Sequence, residues 1–208
     1  MRKALLVVWL LVPVAAAAYH FGPGQLQLTL DEAAACIATA EQHAGEAEAT
    51  SDQAATREQW SLALESYEQA LKLLPADHVQ ESRRLRLEAA KARMLVSQLP
   101  AAHIELEALI DELSSDPGSD ATLLAETRAA LASSQYYMTW LMRLEGAGRE
   151  EWEPKIEGAR QNYKWLAERA LELEDDDGLS EQQRNLEAAI RLARMDLQEL
   201  QGLPLPSQ

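Results

Sequence analysis

The residues of this chain best suited to chemistry are four histidines, His20, His43, His78 and His103, and one cysteine, Cys36. Two metal ligands on one helix need His or Cys three or four residues apart, and none of these has such a neighbour. Cys36 and His43 stand seven apart, close to one face of a helix, where an imidazole could activate a thiol. No third group in reach would orient that pair, so both also fit ordinary core or surface positions. The run Glu174-Asp175-Asp176-Asp177-Gly178 has the acid density of a calcium loop but lacks the alternation and the distant glutamate, and reads as a solvated turn. Acid pairs such as Glu150–Glu151 sit among other charges with no spacing that selects a general acid and a base. Glycine-rich phosphate loops and nucleophile elbows are missing from the sequence. The expectation is a protein that is not an enzyme and uses no metal or cofactor.

Binding chemistry is better represented. Arg83, Arg86 and Arg93 project within about 80° of one another at helical spacing. Small residues (Ser82, Ala89, Ala90 and Ser97) share their stripe. Guanidiniums over such a floor suit a carboxylate-bearing peptide; pairing with Glu81, Glu88 and acids of neighbouring helices is the alternative. A second feature is aromatic crowding: Tyr136, Tyr137, Trp140, Trp152, Tyr163 and Trp165 are six of the eleven aromatic residues. They cannot all face one core line, which makes Tyr137 and Trp140 candidate anchors for a partner beside the reading as helix packing.

The elements that hold these residues are helices. Ala, Leu, Glu, Gln and Arg dominate, β-branched residues are scarce, and no strand-length stretch alternates with period two. The spacing predicts helices over 30–49, 57–74, 78–98, 101–114, 120–145, 151–173 and 180–201. Capping-box patterns open four of them, at Thr29, Thr56, Asp77 and Ser180. Stops are read at Pro75, Pro100, Asp116-Pro117-Gly118, Gly146-Ala147-Gly148 and Asp177-Gly178, while Gly45–Thr56 widens the first turn. Short connections imply antiparallel neighbours.

Net charge is −15, and since Arg2 and Lys3 are the only charged residues among the first twenty, the rest carries −17. Such a body repels phosphate backbones and anionic headgroups, so nucleic acid is not an expected partner. Residues 1–20 begin with Arg2-Lys3, continue uncharged from Ala4 to Ala18 and end in small residues. That pattern fits a secretory signal peptide, or a single-pass anchor over residues 4–19 with Tyr19 and Phe21 at the interface. Both readings place the body outside the cytoplasm. Residues 21–28, with Gly22-Pro23-Gly24, read as a linker, 29–201 as the helical domain and 202–208 as an extended tail. Cys36 alone makes no intramolecular disulfide.

One helix carries a more specific pattern. Trp60, Ala63, Leu64, Tyr67, Ala70, Leu71 and Leu74 fall on one stripe about 120° wide. Ala63-x3-Tyr67-x2-Ala70-x4-Pro75 resembles the second helix of a tetratricopeptide repeat. Ala102-x3-Leu106-x2-Leu109 and Ala159-x3-Tyr163-x2-Leu166 echo it. The resemblance covers roughly residues 30–175 and departs from the family in three respects. The first helices lack its Trp-x2-Leu-Gly-x2-Tyr signature, the helix at 120–145 is longer than a standard unit, and Gly45–Thr56 widens the first turn; degenerate repeats are the reading, with a plain helical bundle as the alternative. It implies an all-α fold of antiparallel helix pairs stacked as a short solenoid, capped by the last helix. It also implies a scaffold for a protein or peptide partner in the cell envelope. A self-associating structural protein, or an accessory subunit of an envelope enzyme or secretion complex, is the alternative expectation.

Overall fold

A computed structural model describes residues 23–202. Among these there is no strand, and eight helices follow one another: α1 (Pro23–Ala49), α2 (Gln53–Leu73), α3 (Val79–Leu95), α4 (Leu99–Ser115), α5 (Ala121–Leu144), α6 (Arg149–Glu172), α7 (Asp176–Arg194) and α8 (Leu197–Gln201). The proposed signal or anchor, His20 and residues 203–208 lie outside the described residues. Within them no helix is long and apolar enough to cross a membrane. The chain divides into two compact units, one ending at Leu85 and the other beginning at Arg86.

In the first unit α1 packs along α2. The α1 seam is made of Ala33, Ala40 and Ala47, each buried and each seven residues from the next. Two helical turns separate successive alanines, so they form one narrow line. Opposite stand the buried residues Ala63, Leu64, Tyr67 and Ala70 of α2. Alanine on both sides lets the backbones approach, and Tyr67 fills what that leaves. His43 of α1 meets Gln59 of α2 at 2.7 Å (Nδ1 to Oε1), so its imidazole is engaged across the pair and not with Cys36.

The second unit stacks α4 on α5, α5 on α6 and α6 on α7, with α8 returning to α5. It has two cores, one on each side of α5. The first is aliphatic, built on Leu87, Met94, Leu99, Leu106, Leu109, Leu113, Leu123 and Leu131 from α3, α4 and α5. The second is aromatic, built on Trp140, Trp152, Ile156, Tyr163, Leu166, Leu192 and Leu200 from α5 to α8. Burying each such side chain contributes about 1.5–3 kcal/mol. The length of α5 follows from its position: it supplies a face to both cores.

Several helix ends differ from the sequence reading. The expected linker is helical from Pro23 onward, since a proline at the first position gives up only an N–H that has no partner there. Thr29 and Thr56 do not cap; each hydroxyl donates four residues back, to Gln25 O and Asp52 O, both at 2.9 Å. The cap of α2 is Asp52, which accepts from Ala54 N at 3.1 Å. This leaves only residues 50–52 between α1 and α2, not the wide turn expected from Gly45. The acid run at 174–177 is only half a turn: Glu174 and Asp175 lie in the connection, and Asp176 and Asp177 begin α7. Asp175 accepts from Gly178 N at 3.0 Å, and Asp176 and Asp177 lie in the first turn, where the helix dipole favours them. The last predicted helix is split at Asp196, whose carboxylate caps α8 through Glu199 N at 2.8 Å.

Three connections in the second unit use the same turn. Gln98 N donates to Arg93 O (2.8 Å), Ala147 N to Met142 O (2.9 Å) and Asp175 N to Ala170 O (2.9 Å). Each pairing closes a helix by the six-to-one bond of a Schellman turn. The residue before each donor is left-handed, with φ of 66° at Ser97, 81° at Gly146 and 57° at Glu174. Only Gly146 is free of a Cβ there.

Candidate functional site

The arginine stripe is differently disposed from the expected open clamp. Arg83 is buried. Arg86, one turn on, spends its guanidinium inside the fold: Nε donates to Glu105 at 2.5 Å and Nη1 to Glu112 at 2.6 Å, both on α4. Burial would lower its pKa, but the two carboxylates outweigh that and raise it. Arg93 is half-buried on the same helix. Ala89 and Ala90, meant as a floor, are fully buried core residues. What Arg86 holds is therefore the α3–α4 contact, through acids that the helical wheel of α3 alone does not show.

Tyr137 and Trp140 stand on α5, which lines two of the openings of this unit. A groove of about 400 Å³ between α3 and α5 is lined by Lys91, Met94, Leu95, Glu126, Ala129, Ala130, Ser133 and Tyr137. A second, of about 340 Å³, lies between α5 and α7 and is lined by Tyr136, Trp140, Arg184, Glu187, Ala188, Arg191, Leu192 and Met195. Consecutive tyrosines thus face different grooves, their rings meeting edge to face with centroids 5.8 Å apart. Burial raises both phenol pKa values; Tyr137 adds to the rise at Tyr136, and Arg191 opposes it. Trp140 is buried, a core residue with one side on the groove, and its indole N–H has no acceptor. Arg184 and Arg191 escaped the sequence reading. Their signal was available, since they are seven apart and so share one face of a helix.

Beneath the grooves runs a polar seam. Lys155 of α6 lies 2.7 Å from His103 Nε2, His103 Nδ1 is 3.2 Å from Ser134 Oγ, and Ser134 donates to Leu131 O at 2.8 Å. An ammonium only donates, so Nε2 accepts and Nδ1 carries the proton, which points toward the serine. Burial and then the Lys155 charge lower the His103 pKa; Glu107, 3.2 Å from Nε2, opposes them. Serine, histidine and glutamate are together here, yet the proton order is the reverse of an activated nucleophile: the imidazole donates to a hydroxyl that is itself fully buried. Farther along, Arg128 donates to Asn162 (3.1 Å) and Asn162 to Gln135 (3.2 Å). Gly158 gives Gln135 room, since a Cβ there would stand 2.7 Å from its Nε2.

Two further arginines fix the aromatic helices. Arg128 lies over Trp165 and Arg143 over Trp152, each 4.7 Å from the ring centroid. Arg143 also donates to Leu192 O, and to Met195 O at 2.5 Å, so it satisfies carbonyls at the end of α7. Among the described residues no group of His, Cys, Asp and Glu is arranged to hold a metal ion. No protein-family model, no curated protein and no solved structure matches this chain.

Proposed function

We propose that this chain is a tetratricopeptide-like helical scaffold, exported from the cytoplasm, that holds a partner protein and catalyses nothing itself. The observation that carries the reading is the order of elements around the two grooves. Counted in pairs α1–α2, α3–α4 and α5–α6, the helices lining the grooves of the second unit are α3, α5 and α7, the first helix of each successive pair and then the capping helix. A stack of helix pairs presents its first helices on one face, and that face is where such scaffolds hold peptides. The second helices carry the repeated small and large positions inward: Ala63, Tyr67 and Ala70, then Ala102, Leu106 and Leu109, then Ala159, Tyr163 and Leu166, all buried.

Export rests on the N-terminal sequence pattern alone. Absence of catalysis is supported by the reversed proton order at Ser134. The test is cross-linking in living cells followed by pull-down of the tagged full-length chain. A discrete heterologous adduct that weakens in a Tyr137→Ala variant supports the reading. No adduct, or only multiples of the chain itself, contradicts it in favour of self-assembly. Fractionation of the same cells checks export, which a cytoplasmic chain of uncut length and no membrane association would overturn.

A further inference from the structure

Most arginines in the second unit are engaged by the fold. Arg86 holds Glu105 and Glu112, Arg149 holds Glu153, Arg160 holds Glu157, and Arg128 and Arg143 lie over tryptophans. Arg184 and Arg191 are not. Both are exposed, and among the described residues neither makes an ion pair, although Glu187 stands between them in sequence. Seven residues are two turns, so the two side chains leave one face of the helix from Cα atoms about 10 Å apart. Both line the α5–α7 groove with Tyr136 and Trp140.

The second observation is independent of charge. Trp140 is 5% exposed, and its indole N–H is buried with no acceptor. An indole can only donate, and buried donors in native folds are almost always paired. That N–H lies beneath the groove surface, so the groove itself carries two guanidiniums without an ion pair, Arg184 and Arg191, against a single carboxylate, Glu187. Its own residues leave one positive charge unbalanced. A body carrying −17 outside its first twenty residues repels extended anionic surfaces and nucleic acid strands. A short flexible acidic stretch can enter a groove of about 340 Å³ and meet the two arginines locally.

We propose that the α5–α7 groove takes an acidic segment of the partner protein, with carboxylates held by Arg184 and Arg191 and the segment laid against Tyr136 and Trp140. This deepens the docking reading above and rests on it. The binding is that of charge-assisted, bidentate pairs, for which Lys is a poor substitute.

The test uses the full-length protein and a fluorescein-labelled octapeptide of glutamates with one leucine, beside its glutamine counterpart. Fluorescence anisotropy is expected to show the acidic peptide binding, weakening with salt, and the glutamine peptide binding at least about tenfold more weakly. An Arg184→Gln, Arg191→Gln double variant should lose at least about tenfold in affinity, while Arg57→Gln on α2 loses none. Equal binding of both peptides, no binding by about 1 mM, or an unaffected double variant would each overturn the proposal. So would arginine-dependent sedimentation with vesicles of anionic lipid and no peptide binding. If cells yield a partner adduct that Tyr137→Ala weakens and the double arginine variant does not, the scaffold reading stands and this inference fails.

Discussion

The two sides of α5 differ in what they bury and in what they leave open. Toward α3 and α4 the core is aliphatic, and the groove above it is lined by Met94, Leu95, Ala129, Ala130 and Tyr137 with one charge of each sign at its rim. Toward α6 and α7 the core is aromatic, and its groove carries Arg184, Glu187 and Arg191 beside Tyr136 and Trp140. Leucines pack without leaving polar atoms over. Tyrosine and tryptophan bring an O–H or N–H that must be paired, and that is where this fold has unmatched donors. An apolar groove anchors a side chain through its area; a charged one selects sign and orientation. Placed side by side across one helix, they would read a single segment for both properties.

The aliphatic side should respond most strongly to truncation. Leu106→Ala, in a fully buried site, is expected to cost about 2–5 kcal/mol in urea unfolding. A cost below about 1 kcal/mol would mean that side is not the close-packed one. Next comes Arg143→Met, which keeps some apolar contact with Trp152 but strips the donors from Leu192 O and Met195 O. It should cost about 2 kcal/mol and raise hydrogen exchange at the end of α7, leaving α4 protected. Equal loss of protection in α4 would show the two sides to be one cooperative unit.

His103 supplies a smaller effect that depends on pH. Its folded pKa lies below the ordinary value because of burial and the Lys155 ammonium, with Glu107 and Ser134 as its other facing groups. Below about pH 6.5 the unfolded chain takes up a proton that the fold resists. Stability from this site is therefore whole at neutral pH and falls as the medium is acidified. The chain's many carboxylates also titrate, so the quantity to measure is the difference between wild type and His103→Gln. Going from pH 7 to pH 5, the wild type should lose stability relative to the variant; a flat difference contradicts the donor order from Lys155 to Ser134. Smallest is the turn shared by the three connections. Glu174→Gly relieves a left-handed residue and should stabilise by up to about 1 kcal/mol, whereas Gly146→Ala should destabilise by a similar amount.

The helical fold and the inward pattern Ala63, Tyr67, Ala70 were legible because periodicity and small-residue spacing are local properties. Helix starts were less so. Threonine hydroxyls at 29 and 56 match a cap by residue type, yet within a helix they bond the carbonyl four back. Asp52 and Asp175, nearer the true ends, do the capping instead. The Ala33, Ala40, Ala47 seam was hidden because alanine is common in this composition, and a period of seven stands out only once α2 lies on it. Arg86 shows the same limit from the other side: its own helix gives its direction, while its partners Glu105 and Glu112 come from the next. Arg184 and Arg191 were passed over since their value lies in having no such partners.

The central claim is that a partner docks on the face formed by α3, α5 and α7. A photo-reactive phenylalanine analogue placed at Ala129, in the apolar groove, and separately at the exposed Ile104 of α4 tests it in cells. A discrete heterologous adduct from position 129 and none from position 104 is the predicted result. Adducts from 104 alone, or from neither position, would contradict it.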